Sequence, residues 1–166
     1  MPPTPLYKNY AEYHRQIQMV YGAFWLGASM FLALGYWLHL QSNISANTIP
    51  VWMFWLLLVA NTGAVIFFSK YLQEKASRES GLYNKLIRYQ TFLIIRLALL
   101  EFIVLFAAVL VMQGAGMAVL AAALLVLLGM LVLRPTPEKV ASELGLSEKE
   151  RYYLWHPQVP FDDSAN

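Results

Sequence analysis

Cysteine is absent from this chain and charge is scarce. Without a cysteine among its 166 residues there is no disulfide, no thiolate nucleophile and no cysteine-held metal, and the redox compartment leaves no mark. Charged residues make up 13% of the sequence and hydrophobic ones 58%, where soluble domains carry about 25% charged. Residues 16 to 69 and 102 to 133 contain no Asp, Glu, Lys or Arg. Uncharged stretches of that length fit a bilayer and not a globular core. The net charge of +2 is too small to point to nucleic acid.

What is present reads as an all-α membrane protein, four transmembrane helices in two hairpins with short amphipathic cytoplasmic segments. Residues 1–16 mix Pro2, Pro3 and Pro5 with Lys8, Glu12, Arg15 and three tyrosines, a composition suited to an interfacial segment anchored by Tyr7, Tyr10 and Tyr13. The run 17–40 is longer than the apolar part of a signal peptide and has no convincing cleavage site, so it predicts a first span. Its small residues Gly22, Ala23, Gly27, Ala28 and Ser29 permit close helix approach; Gly22 and Gly27 are five apart and do not form a GxxxG motif. Tyr36, Trp37 and His39 mark its far end.

A polar loop at 41–50 offers Thr48 as helix cap and Pro50 as first-turn residue for a second span, 50–68, with Trp52 and Trp55 at the outer interface. The charged stretch 69–88 predicts a solvated connection, in part a helical extension of its neighbours. A third span covers 89–112, and the sequence Gln113–Gly114–Ala115–Gly116 predicts a tight turn into a fourth, 117–133, near the minimum length for crossing. Together, 17–133 form the transmembrane domain. In the tail, 134–166, Thr136 with Pro137 and Glu138 opens one short helix that Gly145 ends, and Ser147 with Glu150 has capping-box spacing for a second. From Trp155 onward an extended or disordered end is expected.

Basic residues set the orientation. Eleven of the twelve Lys and Arg fall before the first span, between the second and third, or after the fourth, and the loops 41–50 and 113–116 have none. The positive-inside rule then predicts an integral membrane protein with both termini cytoplasmic.

The twelfth basic residue, Arg96, lies inside the third span together with Glu101. A charge at membrane depth costs about 2.5 to 3.5 kcal/mol on insertion scales, so such residues face a protein interior and mark a polar path or a pairing site. Five residues at about 100° each leave Arg96 and Glu101 about 140° apart, so their partners are sought on other helices. Counting from the cytoplasmic ends places Asn61 and Thr62 near Arg96 and Ser29 near Glu101. The candidate intramembrane polar cluster is therefore Glu101, Arg96, Asn61, Thr62 and Ser29.

No catalytic, cofactor-binding or metal-ligating pattern is found: His14, His39 and His156 are scattered, without metal-ligand spacing, and read as interfacial. The tail segment EKVASELGLSEKE, Glu138 to Glu150, has the look of a helix-turn-helix start. It lacks a three-helix core and a basic recognition helix, so DNA binding is not expected. An offset of 75 aligns Ala23 with Ala98 and Phe31 with Phe106, a trace of duplication between the first and third spans.

Rotary ATPase proteolipids and small multidrug transporters share a lone membrane carboxylate, but it stands in a different helix here. With IIRLALLE (Ile94 to Glu101) in the third span and RPTPEKV (Arg134 to Val140) after the fourth, the chain resembles an uncharacterised family of small bacterial four-helix inner-membrane proteins. That resemblance implies the layout and no activity. The sequence thus predicts a non-enzymatic structural or accessory component, associating by helix packing in the lipid bilayer as a homo-oligomer or with a membrane-protein partner. The alternative is a small oligomeric transporter, or a proton- or cation-coupled protein, using Glu101.

Overall fold

The computed structural model describes residues 7–41, 49–77, 79 and 81–161. Pro2, Pro3, Pro5, the expected cap Thr48, Arg78, Asp162 and Asp163 lie outside the described residues. Among the described residues six helices make up the architecture: α1 Tyr10–Gln41, α2 Val51–Ser77, α3 Leu82–Met112, α4 Met117–Val132, α5 Pro137–Glu143 and α6 Glu148–Trp155. Among the described residues there is no strand, only an isolated bridge between Asn9 and Pro160. The first three helices are long and apolar enough to cross a membrane, and α4 makes a fourth if it and α5, bent by 88°, count as one span.

The helix α3 is the hub. It packs along α1, α2 and α4, while α2 makes its extensive contact with α3 and α4 also touches α1. Buried positions on α1, namely Tyr10, Tyr13, Ile17, Tyr21, Ala28, Leu32 and Gly35, are spaced by three or four residues, with one gap of seven between Tyr21 and Ala28. That is the heptad spacing that keeps one seam against a partner over many turns. The seam runs parallel to α3: Tyr13 meets Leu86, Gly27 meets Glu101 and Gly35 meets Ala108.

At Gly35 the two backbones are so close that an added Cβ would stand 2.7 Å from the Ala108 carbonyl oxygen. Small residues allow this approach where lipid gives helices no hydrophobic reason to associate. The return from α3 into α4 uses Gly114 at φ 88, a backbone region glycine enters without penalty, and the Ala115 N–H donates to the Leu110 carbonyl. Running back, α4 receives hydrogen bonds from α1, Tyr21 Oη to the Met130 carbonyl at 3.0 Å and Trp25 Nε1 to that of Leu127 at 3.4 Å.

The first helix begins at Tyr10, ahead of the span at 17–40, and α2 runs on to Ser77 while α3 starts at Leu82, the helical extension of its neighbours expected of 69–88. One expectation is corrected. Tyr7, Tyr10 and Tyr13 are not interfacial anchors: they are 5%, 1% and 0% exposed. They pack on α3 and on one another, with Tyr7 Oη donating to Gln90 Oε1 at 2.8 Å and Tyr13 Oη to the Leu86 carbonyl at 3.0 Å. In the tail, α5 and α6 form where the local signals place them, the Thr136 side chain accepting from the Lys139 N–H and Ser147 with Glu150 completing a capping box.

These short helices do not lie loose on a surface. Val140, Ala141, Leu144, Leu146 and Leu154 are buried with the main core. The chain beyond α6 is tied to the start of α1, with Ala11 N–H donating to the Pro157 carbonyl at 3.0 Å and Phe161 N–H to that of Lys8 at 3.1 Å.

Candidate functional site

The two charges of α3 occupy different surroundings. Arg96, only 6% exposed, is surrounded from three helices. Its Nη2 donates to Ser69 Oγ on α2 at 2.6 Å, its Nη1 to Glu143 Oε1 on α5 at 3.5 Å, and its guanidinium stacks over Phe92 at 4.4 Å. The Tyr89 hydroxyl stands beside the Glu143 carboxyl without closing a well-formed hydrogen bond. Tyr10 Oη, Arg96 Nε and Glu143 Oε2 are buried without partners. Arg96 therefore holds the tail to the bundle through a polar seam that is only partly satisfied, and each unpaired buried group there costs stability.

The expected five-residue cluster does not form: no hydrogen bond or ion pair joins any two of its members. Ser29 and Thr62 donate to carbonyls of their own helices, Trp25 and Leu58, at 2.7 Å each. Asn61 Oδ1 has no partner. The physical reason is register. Because α2 continues to Ser77, Ser69 is the residue opposite Arg96, and Asn61 sits eight positions, about 12 Å, further along the axis. Glu143 was missed because its own short helix gives no sequence signal of docking against α3.

Glu101 lies about 7.5 Å beyond Arg96 along α3, and about 18 Å before Gln113 at the turn. That depth is inside the apolar span. Its carboxyl rests against Gly27 of α1, where an added Cβ would be 3.2 Å from Oε1. Among the described residues no hydrogen bond or ion pair reaches it. The residue is half-buried, at the margin of the α1–α3 seam, and Phe102 beside it is 49% exposed. The side chain is thus aimed along the edge of the bundle rather than into its core.

A second ionic contact fixes the tail further from the apolar region. Lys85 Nζ donates to Glu150 Oε1 at 2.7 Å, while Ser147 N–H and Oγ both donate to Oε2, at 2.8 and 2.9 Å. Burial pushes the Glu150 carboxyl up, but the hydrogen bonds from Lys85 and Ser147 outweigh it and hold the group below the usual carboxylate value. A carboxyl whose pKa is lower folded than unfolded stabilises above the unfolded value, about 4.3, and that contribution disappears as pH falls through the folded value. A fluorophore on Tyr152→Cys should therefore report release of α6 below about pH 4, and Glu150→Gln should flatten that response.

Among the described residues no group of three or more His, Cys, Asp or Glu could hold a metal. No protein-family model, curated protein or solved structure matches this chain. The site is accordingly defined by its own geometry: a membrane-depth carboxylate left open at the edge of α3, and an arginine one and a half turns away locked to the tail.

Proposed function

We propose that the chain is a non-enzymatic component of a bacterial inner membrane, crossing it four times with both termini in the cytoplasm, and that it works by association through the face carrying Glu101. The supporting observation is the unpaired carboxyl. A bilayer core supplies no water to an exposed carboxylate, so an ionisable group left at the edge of a span calls for a protein surface that completes it.

The four-span arrangement is supported by the ends of the chain. Asn9 and Pro160 pair with each other, and a start of α1 that lies beside the tail supports an even number of crossings. At 16 residues α4 is about 24 Å long, short of a hydrocarbon core of about 30 Å. Local thinning of the bilayer and the snorkelling of Arg134 at its end accommodate such a mismatch. The absence of Lys and Arg from 41–50 and 113–116 supports placing those loops outside.

Glu101→Ala and Glu101→Gln test the reading. Association predicts that Ala lowers the mass of the complex extracted in mild detergent, and that Gln, which still offers hydrogen bonds at that depth, restores most of it. A proton- or cation-coupled transporter predicts the reverse: assembly intact in both variants and coupled uptake into proteoliposomes abolished in both.

A further inference from the structure

We infer that an internal water is bound where α5 docks on α3, accepting a hydrogen bond from Arg96 Nε and donating one to Glu143 Oε2, with the hydroxyls of Tyr89 and Tyr10 completing its shell. Four buried polar atoms from three helices meet here without a partner in the protein: Tyr10 Oη of α1, Tyr89 Oη and Arg96 Nε of α3, and Glu143 Oε2 of α5. The Tyr89 hydroxyl is the centre of the group, with Glu143, Arg96 and Tyr10 as its electrostatic neighbours. Arg96 Nη1 and Glu143 Oε1 stand 3.5 Å apart, where a charge-assisted bond usually closes to about 2.7 to 2.9 Å. Guanidinium and carboxyl are thus held apart, with a polar atom of each left over.

The atoms themselves select the ligand. Arg96 Nε can only donate and a carboxylate oxygen can only accept, while a tyrosine hydroxyl does either. A molecule joining them must accept on one side and donate on the other, and it must be neutral, because an anion would meet Glu143 and a cation would meet Arg96. Water satisfies both conditions, and a buried water makes about three such bonds to groups otherwise left unpaired. The way in is along α5: the Glu143 side chain is 26% exposed, whereas Arg96 and Tyr89 are buried. A bridge of this kind recovers part of what the four atoms lose, at some cost in the freedom of the water, so the seam stays weaker than one closed by direct bonds.

X-ray radiolysis of the full-length protein in nanodiscs tests the site, because hydroxyl radicals formed from a bound water oxidise the side chains beside it even where bulk solvent does not reach. Peptide mass spectrometry should find oxygen added to Tyr89 and Tyr10. Tyr13 is the internal control and should stay unlabelled, since it is equally buried but its hydroxyl already donates to the Leu86 carbonyl. In the double variant Arg96→Met with Glu143→Leu, which removes the charged partners of the water without leaving a lone charge, the label on Tyr89 should be lost while the tail stays protected from protease.

Tyr89→Phe adds a reading that depends on sign. A bridged hydroxyl is missed when removed, so the unfolding midpoint falls, as it should in Tyr13→Phe; removal of an orphaned hydroxyl raises it. Tyr89 and Tyr10 as unreactive as Tyr13, equal labelling of all three, or a raised midpoint in Tyr89→Phe overturns the bound water. A Tyr89 label that persists in the folded double variant overturns its assignment to Arg96 and Glu143.

Discussion

Replacing Gly35 by alanine is expected to destabilise the bundle more than any other single methyl added to a glycine of α1. The new Cβ would meet backbone, not a flexible side-chain end: the Ala108 oxygen at 2.7 Å, with its carbonyl carbon and Cα both at 3.2 Å. Backbone in the middle of two long helices cannot step aside locally, so α1 and α3 must separate over several turns and forfeit packing on both sides of the contact. Overpacking of this kind costs about 1 to 3 kcal/mol, and Gly35→Leu should exceed it. Gly22→Ala is the matched control, since nothing lies within 4 Å of its added Cβ. Thermal unfolding in detergent, followed by circular dichroism, should show a clearly lowered midpoint for Gly35→Ala and an unchanged one for Gly22→Ala.

The second large effect concerns the tail. Glu143→Ala removes the carboxylate that, among the described residues, is bonded to Arg96 and leaves a guanidinium almost entirely buried. Breaking a buried pair from one side costs about 3 to 5 kcal/mol, and because Glu143 keeps some exposure the lower end, about 3 kcal/mol, applies. The cost should appear as undocking of α5 and α6. Protease sites from Leu144 to Tyr153 would become sensitive while the spans stay protected. Exchanging both partners, Arg96→Met with Glu143→Leu, should recover most of the loss, because neither side then retains a buried unpaired charge. Three unpartnered polar atoms, Tyr10 Oη, Arg96 Nε and Glu143 Oε2, already weaken this seam.

Much of the fold was legible because its signals are local. Charge-free runs mark the apolar helices, Thr136 and the Ser147–Glu150 pair mark the starts of α5 and α6, and the glycine turn at 114 closes α3 onto α4. The heptad from Tyr10 to Gly35 was also present in the sequence, but its tyrosines read equally well as interfacial anchors. Only their packing against α3 and one another, a tertiary fact, decides between the two.

The candidate site was less legible for the same reason. Which residue faces Arg96 depends on where α2 ends, and charged residues such as Lys70 and Lys75 hide a helix that continues through them to Ser77. Moving that end displaces Asn61 and Thr62 and substitutes Ser69. Glu143 belongs to a seven-residue helix whose docking is a tertiary fact. Glu101 could be picked out from composition alone, since an acid in an apolar span is conspicuous; its lack of a partner among the described residues could not.

The central claim is that Glu101 sits at membrane depth on an open edge of α3, awaiting another surface. A nitroxide attached at Glu101→Cys, in bilayers at high lipid dilution, reports this directly through collisions with dissolved oxygen and with a water-soluble nickel chelate. The account predicts strong broadening by oxygen and almost none by the chelate, the signature of a lipid-facing site near the midplane. Strong broadening by the chelate would place the residue in a water-filled path, and insensitivity to both would bury it inside the bundle; either result contradicts the account.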